Sequence, residues 1–331
     1  MRYLTNPFIS MFEWTRPFKW ASGLLVLGIM VTVLYGLSVE QAWLFHPVTG
    51  AIVSFILIMV MLALVQEIRA LTDVQSDTLF TKSALLDFTG VVGGGLVTYI
   101  VSVDLGLGAV TASGLIGLLG ALIFPKQAVA IYCGSFVGMV CPTLLDNYFQ
   151  VLLASVLGGI VYDLAAGVLQ GFGGKLGTIA CTGTVMVGLG FGCEFSVANL
   201  PCLSMSWQIL LCATGAAVFA YWLSVGLGHG PVVGSSVVGL IGALLLPALS
   251  PEAGPLLAVV VMCASFTGMS SPSRIPNYFW MTLAGVVTGI IFIYSLPVLG
   301  GAGGKLGTTA LGASMGTWMF RSLLSKLKPT I

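Results

Sequence analysis

Runs of predominantly apolar residues follow one another from Ala21 to Leu324, most of them near the ~20 residues that a helix needs to cross a bilayer. Hydrophobic residues make up 57% of the 331 residues and charged residues only 7%, against about a quarter charged in soluble domains. The runs lack the alternation of barrel strands, and an open sheet would leave backbone groups unpaired in lipid. The sequence therefore predicts an all-α, polytopic membrane helical bundle in a lipid bilayer.

We predict about twelve spans, and their loops obey the positive-inside rule. They are 21–39, 49–66, 85–103, 108–125, 127–142, 147–170, 178–193, 207–227, 231–247, 255–271, 277–298 and 308–322. With the N-terminus inside and every span crossing, every Lys and Arg except Lys305 lies on the cytoplasmic side. This pattern predicts a multi-pass protein of the plasma (bacterial inner) membrane with both termini cytoplasmic.

The sequence contains an internal repeat. Gly93–Pro125 matches Gly215–Pro247 at a constant offset, and the match resumes after a short insertion through the second half of each unit. We therefore divide the chain into a cytoplasmic segment 1–20, two leading helices in 21–82, and repeats 83–206 and 207–331. Five spans per repeat place the second copy upside down relative to the first. If the short segments 127–142 and 255–271 are re-entrant instead, each repeat has four crossings and the copies are parallel.

Inverted repeats are typical of secondary transporters, where the solute binds at the interface between the two halves. We predict a permease for a small solute, an anion or carboxylate in particular, that is coupled to H⁺ or Na⁺ or passive. The alternatives are a channel of the same architecture and a non-catalytic structural subunit. A homo-oligomer also fits the glycine-rich spans, since small residues let transmembrane helices pack closely.

Other classes of function are disfavoured. The net charge of +1 offers no basic face for nucleic acid. The seven cysteines form no Cys-x-x-Cys pair and the two histidines are far apart, so no metal or cofactor is predicted. The chain also shows no pairing of nucleophile and base, so we predict that it is not an enzyme. Cys193 and Cys202 share a predicted external loop, where a disulfide between them is one alternative.

Two short, glycine-bearing segments at corresponding positions are the first candidate site. Each contains Ser-Phe-x-Gly-Met, and broken helices there would expose backbone groups and hydroxyls to a solute. The candidate binding residues are Ser135, Gly138, Ser265, Thr267 and Gly268. The alternative is that the glycines only allow close helix crossing.

The motif Gly-x-Gly-Gly-Lys-Leu-Gly-Thr, at 171–178 and 301–308, is the second candidate. It is not a P-loop, which requires Ser or Thr directly after the lysine. A glycine-rich turn before a helix presents free N–H groups and a positive dipole end, so it attracts anions. We therefore predict solute contacts from Lys175, Thr178, Lys305 and Thr308. The alternative is an inter-helix turn whose lysine sets the topology.

Single polar residues complete the predicted site. Asp163 is expected near the middle of its span, where an acid is costly and suggests ion coupling. A neutral, hydrogen-bonded Asp163 is the alternative. Asn147 and Asn277 either line the cavity or cap the following helices. Asp87, Asp104 and Asp146 lie near span ends, which favours interfacial positions.

Overall fold

The computed structural model of the protein describes residues 7–71 and 82–327, with side chains for 19–71 and 84–327. The predicted cytoplasmic segment 1–20 lies almost entirely outside the described side chains. Within the described ranges the chain forms twelve α-helices and no β-strand. They are α1 (Pro7–Phe45), α2 (Pro47–Ala70), α3 (Lys82–Tyr99), α4 (Ala109–Ile123), α5 (Ala128–Val137), α6 (Tyr148–Leu164), α7 (Lys175–Gly190), α8 (Leu203–Tyr221), α9 (Pro231–Leu249), α10 (Gly254–Thr267), α11 (Tyr278–Ser295) and α12 (Lys305–Leu327).

The helices have the length and surface of a membrane protein. Six stretches in the described part are long and apolar enough to cross a bilayer: Lys19–Phe45, Pro47–Ala70, Ala84–Asp104, Leu203–Gly226, Pro231–Leu249 and Tyr278–Ser295. Their outer faces expose large apolar side chains, such as Leu25, Ile29 and Val33 along α1. Such an extended apolar surface is not tolerated in water. The predicted all-helical membrane class is confirmed at this level.

Helices α5 and α6 end five or more residues before their predicted spans do. The span 147–170 contains α6 only up to Leu164, and the span 127–142 contains α5 only up to Val137. After α6, the chain adopts positive φ at Leu169 (51°), Gly171 (78°) and Gly174 (89°), which a helix cannot accommodate. The glycine-rich motif therefore forms a folded segment, 165–174, before α7 begins.

In the first half, α3–α7, the short helix α5 runs parallel to α3. Gly94 of α3 faces Ile131 near the start of α5, and Gly138 after α5 faces Gly95 and Thr98 further along α3. An α5 of 10 residues covers only ~15 Å. The segment 138–147 continues in the same direction, since the Tyr99 hydroxyl donates to the Leu145 carbonyl at 3.0 Å.

Helix α6 then returns along α3 in the opposite direction. The Tyr148 hydroxyl, at its start, donates to Asp104 just beyond the end of α3. Gly159, near its end, faces Phe88 near the start of α3. The chain between α4 and α6 therefore runs the length of α3 once before turning back.

The second half, α8–α12, repeats these features. Five-residue π-helical turns follow α3 and α8, at Ile100–Asp104 and Trp222–Gly226. Gly268 after α10 faces Ala217 of α8, and the Tyr221 hydroxyl donates to the Ile275 carbonyl at 2.8 Å. In the sequence match, Gly268, Tyr221 and Ile275 correspond to Gly138, Tyr99 and Leu145.

Helices α7 and α12 cross antiparallel where the two halves meet. A Cβ added to Gly177 would lie 2.6 Å from the Gly307 Cα, and Gly174 faces Ala310 and Leu311. Reciprocally, Gly304 faces Ala180 and Cys181. The beginning of each helix therefore packs against a later turn of the other, which is the pattern of a two-fold contact between antiparallel helices.

The leading helices α1 and α2 are joined to the second half by two polar contacts. The Tyr35 hydroxyl on α1 donates to the Thr309 carbonyl on α12 at 2.7 Å. Arg274, between α10 and α11, forms a bidentate pair with Glu67 on α2, at 2.7 and 3.1 Å.

Candidate functional site

A cavity of about 400 Å³ lies between the two halves. The first half contributes α3, α5, α6, the segment 165–174 and α7. The second half contributes Pro231 and Val232 from α9, Phe266 from α10, and Met269 and Ser271 after α10. Phe136 and Phe266 line its wall, with ring centroids 4.5 Å apart. The cavity therefore lies between the helices α3–α7 and the helices α8–α12.

Lys175 is a cation on the cavity lining. It is the first residue of α7, directly after Gly174, whose positive φ ends the preceding segment. Its side chain is half-buried, and no ion pair or hydrogen bond of its ammonium group joins it to the described residues. The free N–H groups and dipole of the α7 N-terminus add positive potential at the same place. A partly desolvated cation without a counter-charge favours binding of an anion.

Apart from Lys175 and Ser271, the polar side chains of the lining are Asp87 on α3, Tyr162 on α6 and Gln170 in the segment 165–174. Asp87 is half-buried and forms no ion pair with the described residues. From the sequence, Asp87 was predicted to lie near a span end, and no role was predicted for Tyr162 or Gln170. A signal was available: within the repeat, these three polar residues match Ile209, Phe292 and Gly300.

Arg274 is held beside the mouth of the cavity. In addition to its pair with Glu67, its Nε donates to the Gln170 carbonyl at 2.9 Å. The guanidinium also lies over the rings of Phe172 and Trp318, at 4.2 and 4.9 Å from their centroids. Its charge is therefore neutralised by Glu67 and its donors are engaged, whereas Lys175 on the lining has no ion-pair partner among the described residues.

In the second half, the place that corresponds to the surroundings of Lys175 is closed by contacts within the protein. Lys305, the first residue of α12, donates from Nζ to the Leu296 carbonyl at 3.1 Å. The segment between α7 and α8 covers this end, since the Ser196 N–H donates to the Gly300 carbonyl at 3.1 Å. The Cys141 N–H donates to the Gly301 carbonyl at 2.9 Å. The matching bond, from the Ser271 N–H to the Gly171 carbonyl at 2.8 Å, is also present, yet both of these residues line the open cavity. The contact that distinguishes the closed end is therefore that of Ser196 with Gly300.

The predicted hydroxyls of the Ser-Phe-x-Gly-Met segments lie inside the bundle with protein partners. Ser135 is fully buried at 2.9 Å from the Ser113 hydroxyl, and Ser265 is buried at 2.8 Å from the Ser235 hydroxyl. Thr267 pairs with the Thr288 hydroxyl at 2.7 Å. These residues connect helices within each half and are not part of the cavity lining.

The two glycines of these segments allow close packing. A Cβ at Gly138 would lie 2.3 Å from the Gly95 carbonyl oxygen, and one at Gly268 would lie 2.6 Å from that of Ala217. Among the remaining predicted residues, Thr178 is buried and bonds the Gly174 carbonyl at 3.2 Å. Thr308 is buried and has no hydrogen-bond partner among the described residues.

Asn147 and Asn277 are helix caps. The Asn147 side chain accepts from the Gln150 N–H at 2.9 Å, and Asn277 accepts from the Trp280 N–H at 3.2 Å. Both have extended backbone angles, as N-cap residues do. Of their two interpretations, the structure supports capping.

Asp163 does not lie in the middle of a span, and that prediction was wrong. It is the penultimate residue of α6, because the helix ends at Leu164. Its carboxylate forms an ion pair with Lys19 of α1 at 2.7 Å, with about a third of the side chain exposed. Of the twelve predicted site residues, only Lys175 lies on the lining of this cavity.

Cys193 and Cys202 are not bonded to each other; both are free thiols. Cys202 is exposed, and a hydrogen bond with the Ser204 hydroxyl lowers the pKa of its thiol. It is therefore well suited to labelling from solution.

Comparisons with protein-family models, with curated proteins and with solved structures found no match. The function is therefore inferred from the cavity and the residues that line it.

Proposed function

We propose that the chain is a permease for a small, carboxylate-bearing solute, with Lys175 and the N-terminus of α7 as the anion site. The observation that carries the proposal is Lys175, half-buried on a cavity between the two halves and without an ion-pair partner in the part of the chain that the structure describes. An ammonium group in this environment gains most from a ligand carboxylate, since a hydrogen bond to a charged group contributes about 1.5–3 kcal/mol.

The proposed architecture is two five-span halves in inverted orientation behind the leading pair α1–α2, in a bacterial plasma membrane with both termini cytoplasmic. The path of the chain within each half supports this architecture. The segment from α5 to residue 147 runs the length of α3, so it counts as a crossing and makes the number of crossings odd. The antiparallel contact of Gly177 with Gly307 agrees with halves of opposite orientation.

A carrier is favoured over a channel. A continuous pore would have to pass the closed end, where a hydrogen bond joins Ser196 to Gly300. One open and one closed end, at matching positions of two similar halves, is the arrangement expected of alternating access. The positive-inside rule assigns the open end to the cytoplasm.

The test is uptake by the full chain reconstituted in liposomes. The panel is a set of radiolabelled small carboxylates, with and without an amino group: propionate, lactate, alanine and β-alanine. Lys175→Gln should reduce uptake of the transported member at least about tenfold, the factor that corresponds to 1.4 kcal/mol of lost binding. Lys305→Gln is the matched control from the second half, with a smaller expected effect because Lys305 already has a carbonyl partner. The proposal is contradicted if no carboxylate enters, or if Lys175→Gln leaves uptake unchanged.

A further inference from the structure

The cavity carries two side chains of opposite charge, Lys175 and Asp87, and neither has an ion-pair partner among the described side chains. They do not form an ion pair with each other, so their charged groups are separated within the same space. The nearby charges are paired elsewhere, Arg274 with Glu67 and Lys19 with Asp163. A ligand in this cavity therefore meets one positive and one negative group at different places.

The repeat provides an internal control for the role of Asp87. The second half folds with the same helix order while Ile209 occupies the position of Asp87 and is fully buried. Phe292 likewise occupies the position of Tyr162. The packing of a half therefore requires neither the carboxylate nor the phenol. Keeping a partly buried acid without a cation is costly, and that cost suggests a ligand that supplies the cation.

Resting on the proposed function, we propose that the solute is a small zwitterion: its carboxylate binds Lys175 and its ammonium group binds Asp87. A simple monocarboxylate satisfies Lys175 but leaves Asp87 unpaired. A dicarboxylate places a second negative charge in a cavity that already contains one. Only a solute with one group of each sign neutralises both side chains.

The remaining lining suits such a molecule. The aromatic ring of Tyr162 flanks the space, and an ammonium group is attracted to ring faces. The Gln170 side chain adds a carbonyl acceptor and an amide donor. The cavity of about 400 Å³ accommodates a solute of the size of alanine together with water, at ~30 Å³ per water molecule.

The test compares alanine and β-alanine with propionate, which has the same number of carbon atoms but lacks the amino group, in liposomes containing the full chain. Wild type should take up the preferred amino acid at least about tenfold faster than propionate at equal concentration, a factor equivalent to 1.4 kcal/mol. Asp87→Asn should remove most of that preference by slowing amino-acid uptake while leaving propionate uptake within about twofold. Lys175→Gln should slow both.

Two further variants separate binding from folding. Asp146→Asn changes an exposed acid that lies away from the cavity, and it should leave the preference unchanged. Tyr162→Phe introduces the residue of the second half, so it should fold and should weaken amino-acid uptake only modestly. Elution in gel filtration and the unfolding temperature of each purified variant report folding directly.

The outcomes distinguish the two proposals. If propionate enters in a Lys175-dependent manner and neither amino acid enters faster, the zwitterion proposal is overturned while the permease proposal stands. The same holds if Asp87→Asn folds normally and retains the full preference. If no uptake depends on Lys175, both proposals fail.

Discussion

At the scale of single residues, the ion pair of Lys19 with Asp163 predicts a structural role for this acid. Asp163→Asn should lower the unfolding temperature slightly, because a pair that is one-third exposed contributes about 0.2–1 kcal/mol. Lys19→Gln should cause a similar loss, and the double variant should be no worse than either single one. Thermal unfolding of the four purified proteins measures this cycle.

Ion coupling by Asp163 stays a prediction, and a separate measurement decides it. If Asp163 carries a coupling proton or Na⁺, Asp163→Asn should abolish the dependence of uptake on pH or sodium gradients. If the carboxylate only holds α1 against α6, the variant should keep the gradient dependence of wild type.

The sequence predicts single residues well where their role is local. Capping by Asn147 and Asn277 was one of two predicted roles, because an Asn just before a helix accepts from N–H groups three residues later. Asp87, Tyr162 and Gln170 are distant in sequence, and only the packing of α3 against α6 places them on one cavity. The spacing of residues along the sequence does not show which of them the packed helices bring together. Ser135 and Ser265 look equally suited to binding in sequence, yet the fold turns them toward Ser113 and Ser235.

At the scale of helices, the crossing of α7 and α12 depends on the absence of side chains at Gly177 and Gly307. Gly177→Ala should destabilise the protein by about 1–3 kcal/mol, because the added Cβ would lie 2.6 Å from backbone. Gly215→Ala on α8 is the matched control, since nothing lies within 4 Å of its added Cβ. An unfolding temperature of Gly177→Ala equal to that of the control would show that the helices do not touch here.

The closed end should open when the contact of Ser196 with Gly300 is broken. A Cβ at Gly300 would lie 2.0 Å from the Ser196 carbonyl oxygen, so Gly300→Ala should displace the segment 191–202. Cys141, which bonds Gly301 next to this contact, should then react faster with a thiol reagent. The background is Cys202→Ser, because Cys202 is exposed and reactive through its lowered pKa. Unchanged alkylation of Cys141 would argue against closure by this segment.

The helices show why element boundaries were harder to predict than element order. Within the described ranges, twelve helices lie in the predicted order, because each apolar run is bounded by polar or glycine-rich residues, and six stretches are long and apolar enough to cross a bilayer. The break after Leu164 was missed, since residues 165–170 are apolar enough to continue a span. Their departure from helix follows from the contacts of the glycine motif with the other half, such as Gly173 against the Phe266 carbonyl.

At the scale of the whole molecule, the proposed carrier consists of two halves of opposite orientation that share one cavity. Lys126, after α4, and Ala248, near the end of α9, occupy matching positions of the two halves and are both exposed. In parallel halves they lie on the same face of the membrane, and in inverted halves on opposite faces.

The most direct measurement is therefore sidedness of labelling at these two positions. Lys126→Cys and Ala248→Cys are introduced singly into the Cys202→Ser background and treated in intact cells with a membrane-impermeant thiol reagent. Peptide mass spectrometry reads each site separately. The account predicts that Ala248→Cys is labelled from outside and that Lys126→Cys is labelled only after the cells are opened. Labelling of both positions from the same side would contradict inverted halves, and with them the proposed carrier.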